Sequence, residues 1–205
     1  MEKLLGKLTQ GLVFVVSAPA GTGKTTLVRM LMDEFPCVTE SISCTTRKIR
    51  PGEIADKDYH FMKEEEFKTK LDQGEFLEHA NVFGNYYGTL KSHVEGEQKS
   101  GNHVALVIDT QGAMELKKSG YPAVYIFVRP PSLAELRARL FKRKTEHVDH
   151  IEERLDWARH ELDMAVHYDY QITNDNLHRA YEILRSILIA EEHKKERYDF
   201  TKDDE

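Results

Sequence analysis

A short unbroken apolar run, Leu12 to Val16 (LVFVV), is followed at once by SAPAGTGKTT, Ser17 to Thr26, and then by a stripe of Leu27, Met30, Leu31 and Phe35 at helical spacing. No other feature restricts the chain as strongly. A continuous run rich in β-branched residues suits a strand covered on both faces, and the stretch after it is built to turn a strand into a helix. Gly21 and Gly23 permit positive φ and bring backbone N–H groups close to an anion. Lys24 adds a cation for outer phosphates, and Thr25 places a hydroxyl for Mg2+ at a helix N-terminus whose dipole favours negative charge. The general phosphate-loop pattern, G-x-x-x-x-G-K-[ST], asks for glycine where this chain has Ala18. That position is the strand exit, so alanine is expected there with an ordinary negative φ. The loop from Ala18 through Pro19, Ala20, Gly21, Thr22, Gly23, Lys24, Thr25 and Thr26 is then expected to cradle nucleotide phosphates.

The same rhythm recurs along the chain. Val104 to Ile108 and Ala123 to Val128 are further continuous apolar runs, and Tyr170 to Thr173 is a weaker fourth. Helical patterns cover Thr25 to Phe35, a segment opened by the capping box at Ser132 to Glu135, Ile151 to Val166, and Leu177 to Glu192 with Ala180, Ile183, Leu184, Ile187 and Leu188 apolar. Strands alternating with helices predict an α/β fold on a central parallel sheet. Val38 to Gly88 breaks the alternation with short mixed stretches and turn residues at Pro51-Gly52 and Gly84-Asn85, and reads as an inserted, β-rich subdomain. Arg137 to Arg154 is densely charged, whose simplest meaning is a solvated helical face.

At 205 residues, 40% apolar, the chain is long enough for one domain with insertions. A net charge of −6 disfavours a general nucleic-acid binder while leaving room for a local basic pocket. No apolar run approaches membrane-spanning length, so no membrane partner and a cytoplasmic location are expected. Cys37 and Cys44 match neither a zinc nor a redox spacing and read as small buried or half-buried thiols.

The second cluster of chemistry lies in the insert. Arg47 and Arg50 stand three apart in SISCTTRKIRPGEIADKDYHF, and the planar arginine fork suits phosphate. Farther on, FLEHANVFGNYYGT sets Glu78, Tyr86, Tyr87 and Thr89 beside two glycines. A carboxylate only accepts hydrogen bonds, which suits the edge of guanine, where a ring N–H lies beside an amino group, and not that of adenine.

With SAPAGTGKTT, SCTTRKIRPGE, DYHF, FLEHANVFGNYYGT, IDTQG, IFVRPPS and ITND in this order, the chain resembles guanylate kinases from about Leu12 to Glu192. The resemblance implies a P-loop three-layer α/β fold with a central parallel sheet, an inserted β-rich GMP-binding subdomain (38–89) and a helical lid (137–156). The core would comprise 1–37, 90–136 and 157–205. It implies ATP and GMP, with dGMP tolerated, as small-molecule substrates, Mg2+ as cofactor, and transfer of a phosphoryl group from ATP to GMP. By resemblance Arg47, Arg50, Tyr59 and Tyr87 would hold the GMP phosphate, and Ser43, Glu78 and Thr89 would read guanine. Arg139, Arg143 and Arg154 would be lid arginines reaching the transferring phosphates, and Asn174 would lie near adenine. Lys24, Arg47, Arg143 and Arg154 would carry catalysis.

Two departures qualify the match. The family commonly has an acid two residues before Asp109, where this chain has Val107. Asp109 then remains at that end of the sheet, for guanine or, through water, for the metal. The lid has Lys142, Arg143 and Lys144 where relatives often have glycines, which adds charge and stiffens the turn. Two other readings stay open at this point: a guanylate-kinase-like protein-interaction module, and a P-loop kinase with another acceptor. Monomer and homo-oligomer are both compatible with the sequence.

Overall fold

The computed structural model describes residues 4–142 and 149–197. Five strands form a parallel sheet: β1 (Val13–Ser17), β2 (Val38–Glu40), β7 (His103–Val107), β8 (Val124–Arg129) and β9 (Tyr170–Thr173), in spatial order β2-β7-β1-β8-β9. β1 lies at the centre, with Val13 paired to Val104 and Phe14 to Val124. Alternate side chains divide between two cores, as the two-residue period of a strand requires. Phe14, Val16, Ala105 and Ile126 pack against Leu27, Leu31, Leu184 and Leu188 of α1 (Lys24–Glu34) and α7 (Leu177–Glu192). Val15, Leu106 and Phe127 pack on the other face against Val94 of α3 (Lys91–Lys99) and Leu116 of α4 (Thr110–Lys118). The result is a three-layer α/β core.

The four runs expected as strands are strands. The fifth, β2, comes from the stretch expected to open the insert: Val38–Glu40 pairs with His103–Ala105 in the main sheet. The insert proper carries a four-stranded sheet, β4-β3-β6-β5, made of β3 (Cys44–Thr45), β4 (His60–Phe61), β5 (Phe76–Val82) and β6 (Asn85–Leu90), with α2 (Glu64–Asp72) across it. Phe67 of α2 stacks on Phe76 and Tyr86, with ring centroids 4.3 and 5.4 Å apart. The β5–β6 hairpin turns at Phe83-Gly84, one residue earlier than expected. Both residues have positive φ, 48° and 78°, the geometry of a type I′ turn.

α5 (Leu133–Lys142) starts as its capping box predicts, with the Glu135 N–H donating to Ser132 Oγ; Glu135 Oε1 accepts from Arg139 rather than turning back on the cap. α6 (Asp149–Asp163) pairs with α5 through Leu136, Leu140, Leu155 and Ala158, and Arg137 bridges to Glu152 across them at 2.5 Å. Residues 164–166, expected to continue the helix, instead belong to a 3₁₀ turn over Met164–His167. In α7, Ile183 is 41% exposed although its neighbours in the stripe are buried. Among the described residues no helix is long and apolar enough to cross a membrane. Cys44 is buried, Cys37 half-buried, and neither is in a disulfide.

One buried polar contact ties the chain's ends to the sheet. The Leu12 N–H donates to His103 Nδ1, so the His103 proton sits on Nε2 and is given to Glu192 Oε2 at 2.5 Å. Glu192 also accepts from the Gly6 and Lys7 N–H groups.

Candidate functional site

The parallel strands β1 and β7 deliver their C-terminal ends to one edge of the sheet, and a cleft of about 780 Å³ opens there between that edge, the insert and α6. Its size suits small molecules. On the core side it is lined by the whole loop from Ala18 to Thr26. Gly21 and Gly23 have φ of 90° and 100°, whereas Ala18 is not among the positive-φ residues, as a loop lacking its first glycine requires. Gly23 caps α1, so the N–H groups of the first turn face the cleft with nothing of their own helix to bond.

The loop is braced from behind. Asn174, 5% exposed, donates from Nδ2 to Thr22 O at 2.7 Å, and Arg139 donates to Asn174 O while paired with Glu135. A side chain at Gly23 would lie 2.8 Å from Asn174 Nδ2. Asn174 and Arg139, expected on the nucleotide, therefore stand behind the loop and do not line the cleft.

The insert closes the opposite wall with Ser43, Arg47, Arg50, Tyr59, Glu78 and Tyr87. Arg47 is fixed by Glu53, a member of the RPGE motif for which no role was expected. The Arg47 fork donates to Glu53 Oε1 and Oε2 at 2.8 and 3.0 Å, Nε donates to the Tyr87 hydroxyl, and Nη1 also reaches Lys48 O. Of five guanidinium N–H groups, four are taken up and one has no partner among the described residues. Tyr59 lies under the same guanidinium, 5.2 Å from ring centroid to Cζ. Glu53 Oε2 also accepts from the Arg50 N–H, so one carboxylate sets both arginines of the motif.

Deeper in, Glu78 is 3% exposed and its Oε1 accepts from Thr89 Oγ1 at 2.6 Å. Burial pushes the Glu78 carboxyl up to about 7, against the Thr89 hydrogen bond and with the help of Asp109's charge. Thr89 itself is fully buried and does not line the cleft; it stands behind Glu78 and aims it. Opposite is Asp109, at the end of β7. Its Oδ1 accepts from the Gly112 N–H at 2.9 Å and caps α4, while Oδ2 is buried with no hydrogen-bond partner among the described residues. Gly112 is glycine for a steric reason: a Cβ there would lie 2.1 Å from Glu78 Oε2.

The third wall is α6. Arg154, Trp157 and Glu161 fall on one face of it and all line the cleft. Arg154 lies 6.0 Å from the Phe83 ring at the hairpin tip, and Phe83 in turn meets Trp157 edge-on. A bulky residue with positive φ is an uncommon sight, and here it spans from insert to α6. Arg143 lies outside the described residues. Phe83, Trp157, Gly112 and Glu161 were not singled out from sequence; only for Phe83 was there a signal, its place before a turn glycine.

A cleft with a phosphate loop on one side and a buried carboxylate with clamped arginines on the other is the arrangement that the motif order implied. The guanylate kinase family model matches residues 10–191. The chain belongs to the guanylate kinase family. Curated relatives named guanylate kinase include one from Protochlamydia amoebophila, 54% identical over 189 residues that span 92% of this chain and 95% of the relative, and one from Chlamydia trachomatis serovar D, 48% identical over 89% of each. Among solved structures, the crystal structure of guanylate kinase from Anaplasma phagocytophilum superposes with a TM-score of 0.76 at 34% identity, covering 95% of this chain and 92% of that one.

Proposed function

We propose that this chain catalyses ATP + GMP → ADP + GDP, with dGMP as a second acceptor. The observation that carries the assignment of acceptor is Glu78: a carboxylate buried at the far end of the cleft from the phosphate loop, held by Thr89 and backed by Gly112. Guanine presents a ring N–H and an amino group to such an acceptor, and its binding would favour the ionised form. Adenine presents a ring-nitrogen lone pair instead. A site built to hydrogen-bond its substrate can reject an analogue lacking the group by about 10⁴.

In the transfer, the bond from the γ-phosphorus of ATP to its bridging oxygen breaks, and a bond forms to an oxygen of the GMP phosphate. No side chain becomes covalent; positioning and charge do the work. The loop N–H groups and Lys24 hold the donor phosphates. Arg47, Arg50, Tyr59 and Tyr87 hold the acceptor phosphate, with Glu53 keeping Arg47 in place before substrate arrives. Arg154, carried by α6, offsets charge on the moving group, and Arg143 is proposed to join it. Closing α6 against the hairpin excludes water, which would otherwise accept the phosphoryl group.

The residues present fit Mg2+. The Thr25 hydroxyl stands at the loop and Asp109 Oδ2, without a partner among the described residues, just past the neighbouring strand's end, both hard oxygen donors. Among the described residues no three carboxylate, imidazole or thiol side chains gather around one point, so further ligands would come from the nucleotide. When bound, Mg2+ supplies positive charge between phosphate oxygens. A cytoplasmic setting and small-molecule substrates alone complete the proposal.

A coupled assay for ADP with Mg2+–ATP and each of GMP, dGMP, AMP, UMP and CMP tests it. Turnover with GMP and dGMP, and AMP slower by orders of magnitude, is expected. Equal rates with AMP and GMP, or no turnover of GMP, overturns it.

A further inference from the structure

Val107, the last residue of β7, lines the cleft with an apolar side chain, and Asp109 lines it two residues on, past the strand's end. That leaves a charge deficit beside the phosphate loop, and α6 brings a carboxylate to the same place. Glu161 lines the cleft and is only 5% exposed. It accepts no hydrogen bond among the described residues, and its electrostatic neighbours are Lys24, which favours its charge, and Asp109, which opposes it. A buried carboxylate without a hydrogen-bond donor is rare and requires an explanation. Beside it Asp109 holds the Gly112 N–H with Oδ1, while its Oδ2 is buried with no partner among the described residues. Two acceptor-only groups line one cleft, Glu161 and the Oδ2 side of Asp109, each with an oxygen to which no described residue donates, and they match a ligand that presents donors and positive charge together. A hydrated divalent cation does this: Mg2+ gives up its waters reluctantly and is commonly held through them.

We propose that Glu161 is a positioning residue for the metal–nucleotide complex: with Asp109 it holds the water shell of the donor's Mg2+, doing from helix α6 what an acid at position 107 would do from the strand. The inference rests on the kinase reading above. It makes α6 contribute at two points on one face, Arg154 toward the acceptor side and Glu161 toward the donor side.

The test reads metal binding directly. Mn2+ affinity of the enzyme–ADP complex is measured from the free-Mn2+ electron paramagnetic resonance signal, and ADP affinity without metal by calorimetry in a chelator. Outer-shell partners of metal sites are typically worth 10–100-fold in metal affinity. Glu161→Gln is expected to weaken Mn2+ by that factor while metal-free ADP affinity stays within about twofold. Val107→Asp in the Glu161→Gln background is expected to recover most of the loss. Wild-type Mn2+ affinity in Glu161→Gln, or an equal loss of metal-free ADP affinity, overturns the proposal. Should Glu161→Gln not fold, Glu161→Asp carries the test, since it withdraws the charge by one methylene: weaker Mn2+ supports the role and unchanged Mn2+ overturns it. GMP turnover by the wild type separates the two readings. An active wild type whose metal affinity ignores position 161 refutes this inference alone, whereas a wild type without GMP turnover refutes the kinase reading.

Discussion

Gly112→Ala adds one methyl group at a place where the structure leaves none. The new Cβ would stand 2.1 Å from Glu78 Oε2 and 3.0 Å from Glu78 Cδ, so either the carboxylate or helix α4 must yield. The helix is pinned by its own cap, Gly112 N–H to Asp109 Oδ1, and buries Ala113 and Leu116 beneath it. The carboxylate is the softer partner. To reach ordinary contact, which begins at 3.4 Å, it must retreat by roughly 1.3 Å or more. Its bond from Thr89 Oγ1, now 2.6 Å, then passes the length at which a hydrogen bond survives. A hydrogen bond to a charged group contributes about 1.5–3 kcal/mol, and Glu78 loses this bond together with its aim at the acceptor. The KM for GMP should therefore rise by about 10- to 100-fold, while the KM for ATP stays near the wild-type value because the phosphate loop is untouched. Steady-state kinetics with each substrate varied in turn provides the measurement. A GMP KM unchanged in Gly112→Ala would refute the claim that Glu78's position reads the acceptor; a parallel rise for both substrates would show that the mutation acts on the fold.

Arg154→Ala should lower turnover by roughly 10³-fold, the scale of an arginine aimed at a transferring phosphate, with a much smaller change in the GMP KM; wild-type turnover would refute its role. Phe83→Asn places a residue that a type I′ turn favours at a position with φ of 48°. Thermal stability should hold or rise, while turnover falls several-fold because Arg154 loses the ring it lies over, a contact of about 0.5–2 kcal/mol; a stable variant with full turnover would refute the bridge. Burial, with Asp109 adding to it, pushes Glu78 up to about 7 and Glu161 up to about 8, both from 4.5 in the open chain. The native state thus binds more protons than the unfolded state between those values, and ligand-free stability should fall as pH rises from about 4.5 through 8. Glu34, Glu53 and Glu192, where hydrogen bonds outweigh burial and lower the pKa, lose their contribution only below that window. Glu161→Gln should flatten the fall, its melting temperature gaining on the wild type as pH approaches 8; parallel melting curves across the range would refute it.

The sheet was legible where burial on both faces leaves a continuous apolar run, which is why β1, β7, β8 and β9 could be located. β2 was not, because three residues, Val-Thr-Glu, of which only Val38 is buried, carry no periodic signal. α2 and α3 were missed for a related reason: each buries a single anchor, Phe67 or Val94, so neither shows a stripe. In the cleft the motifs supplied the residue types and the structure supplied the side of the backbone on which they act. Arg47, Arg50, Tyr59, Glu78 and Tyr87 share one cavity, whereas Thr89, Asn174 and Arg139 stand behind the residues and loop they were expected to accompany. Glu161 was invisible because an acid after Arg159 and His160 on a charged helix reads as solvated; only the structure shows that it is withdrawn from the outer surface and lines the cleft.

The central place of β1 has a consequence for how the chain is made. Val13 pairs with Val104 and Phe14 with Val124, so β1, the earliest of the sheet's five strands in chain order, finds neither neighbour until some ninety residues later. At 5–20 residues per second, that delay is roughly 5–20 s. During it LVFVV is an unpaired apolar strand with both faces and both edges open, the kind of segment that aggregates or engages a chaperone. The same connectivity that seats the phosphate loop in the middle of the sheet makes its strand wait for both neighbours, and makes synthesis, rather than the finished fold, the stage at which this strand is most exposed.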